Sequence, residues 1–272
     1  MATSSSSPGS PAVLVTGASS GIGAALAREY GKRGARVALL ARRKDKLEEV
    51  SRQVPGSVPI VCDVTDDASV ERAVAEALRA FGGLDVVVAN AGIGINGPFE
   101  ELSLDDFRRQ FETNVFGVLR TVKATIPALK RSSGRLGLLG SVSGFLSLPG
   151  TSAYAMSKFA VRALAEALGA ELASAGVSVT HIAPGFVESE IRKVDNLGQL
   201  HAARRDPIPP FLVMSNARAA HEIADAIQAR RAEAIITSHG KVASFVAQRF
   251  PRTVHAVVRL ASSQVMSRVK MG

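Results

Sequence analysis

Seven short apolar runs recur along the chain, at Ala12–Thr16, Arg36–Leu40, Val58–Cys62, Leu84–Ala89, Gly134–Ser141, Val177–Ala183 and Ala234–Thr237. They are mostly β-branched or Leu-rich and do not alternate with polar residues. That pattern suits strands covered on both faces, as in a parallel sheet. Between them, Gly21–Arg33, Lys44–Gln53, Asp66–Ala80, Leu104–Lys130, Ser152–Ala175 and Ala217–Arg231 carry apolar residues at helical spacing. Ser103 followed by Asp105 and Asp106 predicts a helix start, with acids near the positive end of the dipole. Strand and helix alternate without a hairpin signal. This order predicts an α/β fold with a doubly wound parallel sheet of about seven strands, helices on both faces and right-handed crossovers. Ligands of such sheets sit beyond the carboxyl ends of the strands.

Composition narrows the functional classes. A chain of 272 residues, 46% apolar and 21% charged, suits one globular domain that needs no disulfide or metal for stability. The single cysteine, Cys62, excludes a disulfide framework and a multi-cysteine metal site, and reads as a small core hydrophobe. The five histidines, spaced 20, 20, 18 and 16 residues apart, form no metal-binding pattern, so no metal is expected. No apolar run approaches the roughly 18 residues of a spanning helix. Residues 1–11 are Ser/Pro-rich and read as a disordered tail, not a signal peptide, which places the chain in the cytoplasm.

The net charge of +9 is unevenly spread. Residues 241–272 hold six basic residues and no acidic one, leaving 27 basic against 24 acidic, or +3, for the first 240. In this basic extension Val242, Phe245 and Val246, then Val254, Val257, Val258, Ala261, Val265 and Val269, fall at helical spacing. Such an amphipathic helix can make a peripheral contact with an anionic membrane surface, pack on a subunit or cover its own domain. No nucleic-acid reading module or basic stripe with stacking aromatics is present, so no nucleic acid is expected as a partner.

Directly after the first apolar run comes Thr16-Gly17-Ala18-Ser19-Ser20-Gly21-Ile22-Gly23. Gly17 permits a tight turn, Gly21 a close approach of a diphosphate to the backbone, and Gly23 close packing of helix on sheet. Free N–H groups and the helix dipole then hold the anion. Together with Asn90-Ala91-Gly92 and Tyr154-x-x-x-Lys158, this spacing resembles the short-chain dehydrogenase/reductase family over about Val13 to Ser189. The resemblance implies a Rossmann-like fold, a nicotinamide cofactor and carbonyl–alcohol hydride transfer. It also implies a homodimer or homotetramer built on the helices flanking the fifth strand, where Ala160, Ala163 and Ala167 would permit close packing.

At the end of the second strand an NAD-binding protein commonly carries an acid for the ribose hydroxyls. Here Ala41 is followed by Arg42 and Arg43. An arginine pairs with the extra phosphate of NADP, which a carboxylate would repel. Arg42, helped by Ser19 and Arg43, therefore predicts NADP in preference to NAD. The resemblance adds Asp63, Val64, Asn90, Ala91 and Gly92 on the adenine and ribose side. It also adds the turn Pro184, Gly185, Phe186 and Val187, whose Val187 backbone would meet the nicotinamide carboxamide, and the hydroxyl of Ser189.

Tyr154 and Lys158 share one helical face. A phenol with an ordinary pKa near 10 needs a neighbouring ammonium to exchange protons near neutrality. Tyr154 would then be the general acid/base. By the same resemblance, Ser141, 13 residues upstream, would hydrogen-bond the substrate oxygen, with Ser143 a second candidate. Lys158 would also bind the nicotinamide ribose, and Asn114 would hold a water leading from Lys158 to solvent. Phe145, Leu146, Leu148 and Pro149 lie where a substrate would pass. A lid over about 190–214, with Pro207, Pro209, Pro210, Phe211, Leu212 and Val213, offers an apolar inner face. These residues point to a hydrophobic carbonyl or alcohol substrate: lipid-like, 3-oxoacyl or polycyclic. The alternative is an NADP-binding regulatory or scaffold protein without turnover, against which the intact Ser141, Tyr154 and Lys158 argue.

Overall fold

The computed structural model describes residues 9–270 except Lys193, Leu197, 200–205 and Pro207; for 261–270 it describes the backbone alone. Most of the Ser/Pro-rich tail and part of the expected lid therefore lie outside the described residues. The strands are β1 (Ala12–Thr16), β2 (Arg36–Ala41), β3 (Val58–Val61), β4 (Val86–Ala89), β5 (Arg135–Leu139), β6 (Ser178–Pro184) and β7 (Glu233–Ile236). They form one parallel sheet in the order β3-β2-β1-β4-β5-β6-β7. The order reverses between β1 and β4, where their carboxyl ends open a crevice.

Successive strand residues point to opposite faces, and here both faces are covered. Val13, Val15, Leu39, Val88 and Ile182 pack beneath α1 (Gly21–Lys32), α2 (Lys44–Ser51) and α7 (Asn216–Gln228), through Leu26, Tyr30, Leu47, Ile223 and Ile227. Leu14, Leu40, Val87, Leu136 and Leu138 pack on the other side against α3 (Asp67–Phe81), α5 (Gly117–Ser132) and α6 (Ser152–Glu171), through Val74, Val122, Val161 and Leu168. Two-sided burial is why the runs are continuously apolar. Each fully buried Leu or Val contributes about 1.5–3 kcal/mol relative to exposure, so the strands resist polar substitution at odd and even positions alike. Cys62 belongs to the second cluster, and burial pushes its thiol up to about 11.

The expected start at Ser103 is present. Ser103 Oγ accepts from Asp106 N, and the Asp106 carboxylate accepts from Ser103 N at 2.9 Å, a capping box opening α4 (Leu104–Phe111). The single helix expected over Leu104–Lys130 is instead broken: α4 runs into a π turn, Glu112–Phe116, before α5. Gly117 N bonds to Glu112 O across that turn, shifting the register by one residue at Asn114. Towards the C-terminus α8 (Ser238–Arg249) follows β7 directly, and α9 (Pro251–Lys270) begins after one intervening residue. The expected boundary at 240/241 thus falls inside α8. Among the described residues no helix is long and apolar enough to cross a membrane.

Candidate active site

The crevice between β1 and β4 is closed by short polar bonds. Thr16 Oγ1 accepts from Asn90 N at 3.0 Å and Ala91 N at 3.1 Å. Asn90 Nδ2 donates to Thr16 O at 2.8 Å. Backbones approach so closely that a Cβ on Gly17 would lie 2.8 Å from Ala91 Cα, and one on Gly23 would collide with Gly17 O. Gly21 has a different reason to be glycine. Its φ is +52°, and a Cβ there would meet open space. The first turn of α1 has no acidic side chain, and its N-cap Ser20 makes no side-chain capping bond. Open backbone at Gly21 below uncapped N–H groups fits a diphosphate.

Beyond β2, it is Arg43 that reaches the turn. Its Nη2 donates to Ser19 Oγ at 3.2 Å and Ser20 Oγ at 3.0 Å, and lies 3.6 Å from Glu190 Oε2. Arg42 is exposed beside it. Asp63 sits past the end of β3, where its carboxylate accepts from Thr65 N and Thr65 Oγ1, and Val64 is buried.

At the ends of β5 and β6 the second group of candidates comes together. Tyr154 and Lys158 lie one turn apart on α6, with Lys158 Nζ 5.6 Å from the centre of the Tyr154 ring. Lys158 is 5% exposed and donates to Leu139 O at 2.9 Å. Burial lowers its pKa to about 8. Tyr154 moves the other way: burial raises its pKa, opposed by a hydrogen bond with Ser141 and by the charge of Arg192. This differs from the expected lowering by Lys158, because the ammonium sits over the ring and on a carbonyl while the phenol is desolvated. Ser141 Oγ also accepts from Ser143 N at 3.1 Å, which makes Ser143 a support of Ser141 in this arrangement.

Asn114 is 1% exposed in the π turn. Its Oδ1 accepts from Ile93 N at 2.8 Å, and its Nδ2 donates to Ile93 O at 3.0 Å and Ser157 Oγ at 3.2 Å. The side chain therefore fixes the loop after Gly92. A Cβ on Gly92 would lie 3.2 Å from Asn114 Oδ1 and 3.8 Å from Lys158 Nζ, so the loop passes directly between them. Gln110, one turn earlier, completes the clamp: Oε1 accepts from Ile95 N at 2.6 Å and Nε2 donates to Ile93 O at 2.9 Å. The sequence reading missed Gln110, although two buried amides four residues apart on one helix face were a usable signal.

After β6, Gly185 N bonds to Ile236 O, and Val187 pairs with Met214. Glu188 N to Met214 O and Met214 N to Phe186 O pin both ends of the segment expected as a lid. Ser189 Oγ accepts from Ile191 N at the start of a 3-10 turn, Glu190–Arg192. Arg192 was also missed. It holds the Asp206 carboxylate through Nε and Nη2, donates to Val187 O at 3.0 Å, and is close enough to act on Tyr154. Asn196 and Asn96 exchange two hydrogen bonds, seating the segment on the loop beyond Gly92. Of the expected substrate-facing residues, Phe145 is 7% exposed, packed on the His181 ring and beneath the Arg162 guanidinium. Leu148 is 44% exposed, and so is the apolar group available at that turn.

A parallel sheet with an anion-ready turn after β1 and a Tyr–Lys pair at the same edge defines a nucleotide-binding oxidoreductase with a Rossmann fold. The family model for short chain dehydrogenases matches residues 11–199. An uncharacterized oxidoreductase of Staphylococcus aureus strain MRSA252 is 39% identical over 186 residues, 67% of this chain and 80% of that one. An alcohol dehydrogenase from Thermococcus sibiricus, solved with 5-hydroxy-NADP, is 29% identical with a TM-score of 0.74, covering 83% of this chain and 95% of that one. A 3-ketoacyl-(acyl-carrier-protein) reductase from Brucella melitensis, solved with NADH, is 26% identical with a TM-score of 0.72, covering 84% and 96%. The chain belongs to the short-chain dehydrogenase family, whose members use a nicotinamide cofactor.

Proposed function

We propose that the protein is an NADP(H)-dependent oxidoreductase that interconverts a carbonyl and a primary or secondary alcohol on a hydrophobic substrate. The observation that carries this reading is the Tyr154–Lys158 pair one turn apart on α6, with the buried Lys158 Nζ 5.6 Å from the centre of the Tyr154 ring. The nicotinamide cofactor, when bound, supplies or accepts the hydride. In reduction Tyr154 donates the proton on Oη to the carbonyl oxygen, and in oxidation it takes the alcohol proton. Ser141 orients that oxygen and stabilises its developing charge. Lys158 favours the phenolate once the proton has left. Asn114 fixes the loop that passes Lys158 and holds a water leading from Lys158 to solvent.

Two cations and no carboxylate follow β2, and this supports NADP over NAD. Arg43, resting on Ser19 and Ser20, is placed to pair with the 2′-phosphate, with exposed Arg42 beside it. Leu148, Phe186 and Phe211 are large apolar groups exposed near the pinned segment, which supports a hydrophobic substrate such as a lipid-like, 3-oxoacyl or polycyclic carbonyl. Met156 and Phe159, exposed on α6 beside Ala163 and Ala167, support association of subunits on that face. The catalytic unit runs from residue 12 through β7 into the start of α8, and the exposed apolar face beyond it supports a peripheral contact with an anionic lipid surface. Val242, Phe245, Phe250, Val257 and Leu260 are exposed there among exclusively basic charges.

The test is NADPH oxidation across apolar ketones, aldehydes and 3-oxoacyl thioesters, with Tyr154→Phe alongside. Turnover that is lost in the variant and poor with NADH is the expected result. NADPH binding without turnover on any of them favours the scaffold alternative, and absence of NADPH binding sinks both.

A further inference from the structure

Beyond the family-matched region, the backbone is forced into an unfavourable conformation at one buried place. Thr237 has φ +91° and ψ 136°, a region that β-branched residues avoid, and is 3% exposed. Such a conformation persists only where its surroundings fix it. Thr237 closes β7 and caps α8, accepting from Gly240 N at 3.2 Å. Its Oγ1 also lies 3.2 Å from His239 Nε2. That same Nε2 accepts from Phe186 N at 3.1 Å, and the His239 and Phe186 rings stack at 5.1 Å with 23° between planes. A backbone N–H can only donate, so Nε2 is the unprotonated nitrogen, its lone pair shared by the Phe186 amide with the Thr237 hydroxyl alongside. The fit is close: a Cβ on Gly185 would collide with Thr237 Oγ1 and lie 2.6 Å from His239 Nε2.

We propose that His239 is a positioning residue for the nicotinamide half of the cofactor, acting through the Phe186 amide on the turn Pro184–Val187. This rests on the reading above, in which the Val187 backbone meets the carboxamide. Gly185 N reaches Ile236 O, Phe186 O accepts from Met214 N, and Val187 O accepts from Arg192 Nη2. The Phe186 N–H between them has His239 as its partner. Removing the His239 acceptor would leave the Gly185–Phe186 peptide free to tilt, and with it the approach of the chain to Val187. Strain at Thr237 is the cost of aiming the start of α8 so that Nε2 points at that amide. Both residues lie outside the family-matched stretch, residues 11–199.

The experiment compares NADPH with 2′-phospho-ADP-ribose, which keeps the phosphates and lacks the nicotinamide, by equilibrium binding to the full chain. Three substitutions are used. His239→Phe keeps the stack and removes the acceptor. His239→Gln restores an acceptor at the position of Nε2, and His239→Asn places one too short to reach. Phe and Asn are expected to weaken NADPH about tenfold, as for one lost hydrogen bond, with 2′-phospho-ADP-ribose within about twofold and Gln close to wild type. Equal losses for both ligands, no loss for NADPH, or failure of Gln to restore binding overturns the inference. Should His239→Phe not fold, the Gln and Asn pair decides alone. Wild-type protein that binds neither ligand refutes the cofactor reading itself, an outcome distinct from the three above.

Discussion

At the end of β1, the turn Gly17–Gly23 is held from within. Its glycines remove every side chain that would obstruct it, and Thr16 and Asn90 stitch it to β4 with hydrogen bonds of 2.8–3.0 Å. At the end of β6, the turn Pro184–Val187 is held from outside, by Ile236, Met214 and His239. The first arrangement depends on glycines at fixed spacing and on Asn90, a distant residue that itself belongs to a recognisable Asn-Ala-Gly run. The second depends on residues 27 to 53 positions away whose identity no local pattern dictates. A diphosphate presents much the same shape in every nucleotide, so its cradle can be a fixed motif. The turn after β6 is instead braced in part by single side chains, so a change at one of them leaves the cradle after β1 untouched.

The largest effect is expected at the chemistry both turns serve. Tyr154→Phe should reduce turnover about a thousandfold while leaving NADPH affinity nearly unchanged, since only the proton donor is removed. Retained turnover in steady-state assays would remove Tyr154 from its role. Next, two glycine substitutions test the comparison itself. Gly23→Ala drives a Cβ into the Gly17 carbonyl, a backbone atom that cannot yield, and should cost about 3 kcal/mol or more. Gly185→Ala meets the side chains of Thr237 and His239, which can turn aside, and should cost about 1–2 kcal/mol. Denaturant midpoints give both values; a larger loss at Gly185 would reverse the contrast drawn here.

A third effect belongs to β6. His181 is 2% exposed, and neither ring nitrogen has a hydrogen-bond partner. Burial, then the charges of Arg162 and Lys158, lowers its pKa to about 4, although Glu233 Oε2 lies 3.6 Å from Nδ1. The folded pKa is below the unfolded one. As pH falls from about 6.5 to 4, the unfolded chain gains a proton the folded one refuses, and stability is lost by up to about 3 kcal/mol. His181→Met should flatten that slope, so that its melting point falls less than the wild type's between pH 7 and 4.5. Parallel falls would show that His181 is not held neutral.

What was legible from the sequence follows the same division. Two-sided burial made the central strands visible as apolar runs, and the Ser103–Asp106 box marked the start of α4. Among the motif residues, Asn90 meets the turn at Gly17, and Lys158 lies over the Tyr154 ring. Other features depended on three-dimensional contact. The π turn at Asn114 arises because its amide must meet both polar groups of Ile93, and helical spacing carries no trace of that demand. Phe145 packs against Arg162 and His181, a contact made across the fold. Arg43 rests on Ser19 and Ser20 through side-chain direction, which adjacent arginines do not reveal. Thr237 and His239 carry no motif at all.

The smallest effect on stability, and the sharpest on location, is expected from removing α9. Deleting residues 251–272 takes away a helix whose first half is largely exposed, including Val257 at 59% and Leu260 at 83%. If this helix is an appendage to the fold, the melting point should stay within about 1–2 °C, as for other surface changes. Binding to vesicles should nevertheless change. Full-length protein is expected to co-sediment with phosphatidylglycerol–phosphatidylcholine vesicles, more weakly as salt rises, and not with phosphatidylcholine alone, since all ionisable side chains of 241–272 other than His255 are Lys or Arg. The deletion should abolish co-sedimentation. A fall of many degrees would instead mean that α9 covers its own domain. A smaller assembly by light scattering, with no vesicle binding in either form, would mean that it joins subunits. Either result would place the end of the chain inside the enzyme's own architecture and remove the lipid surface as its partner.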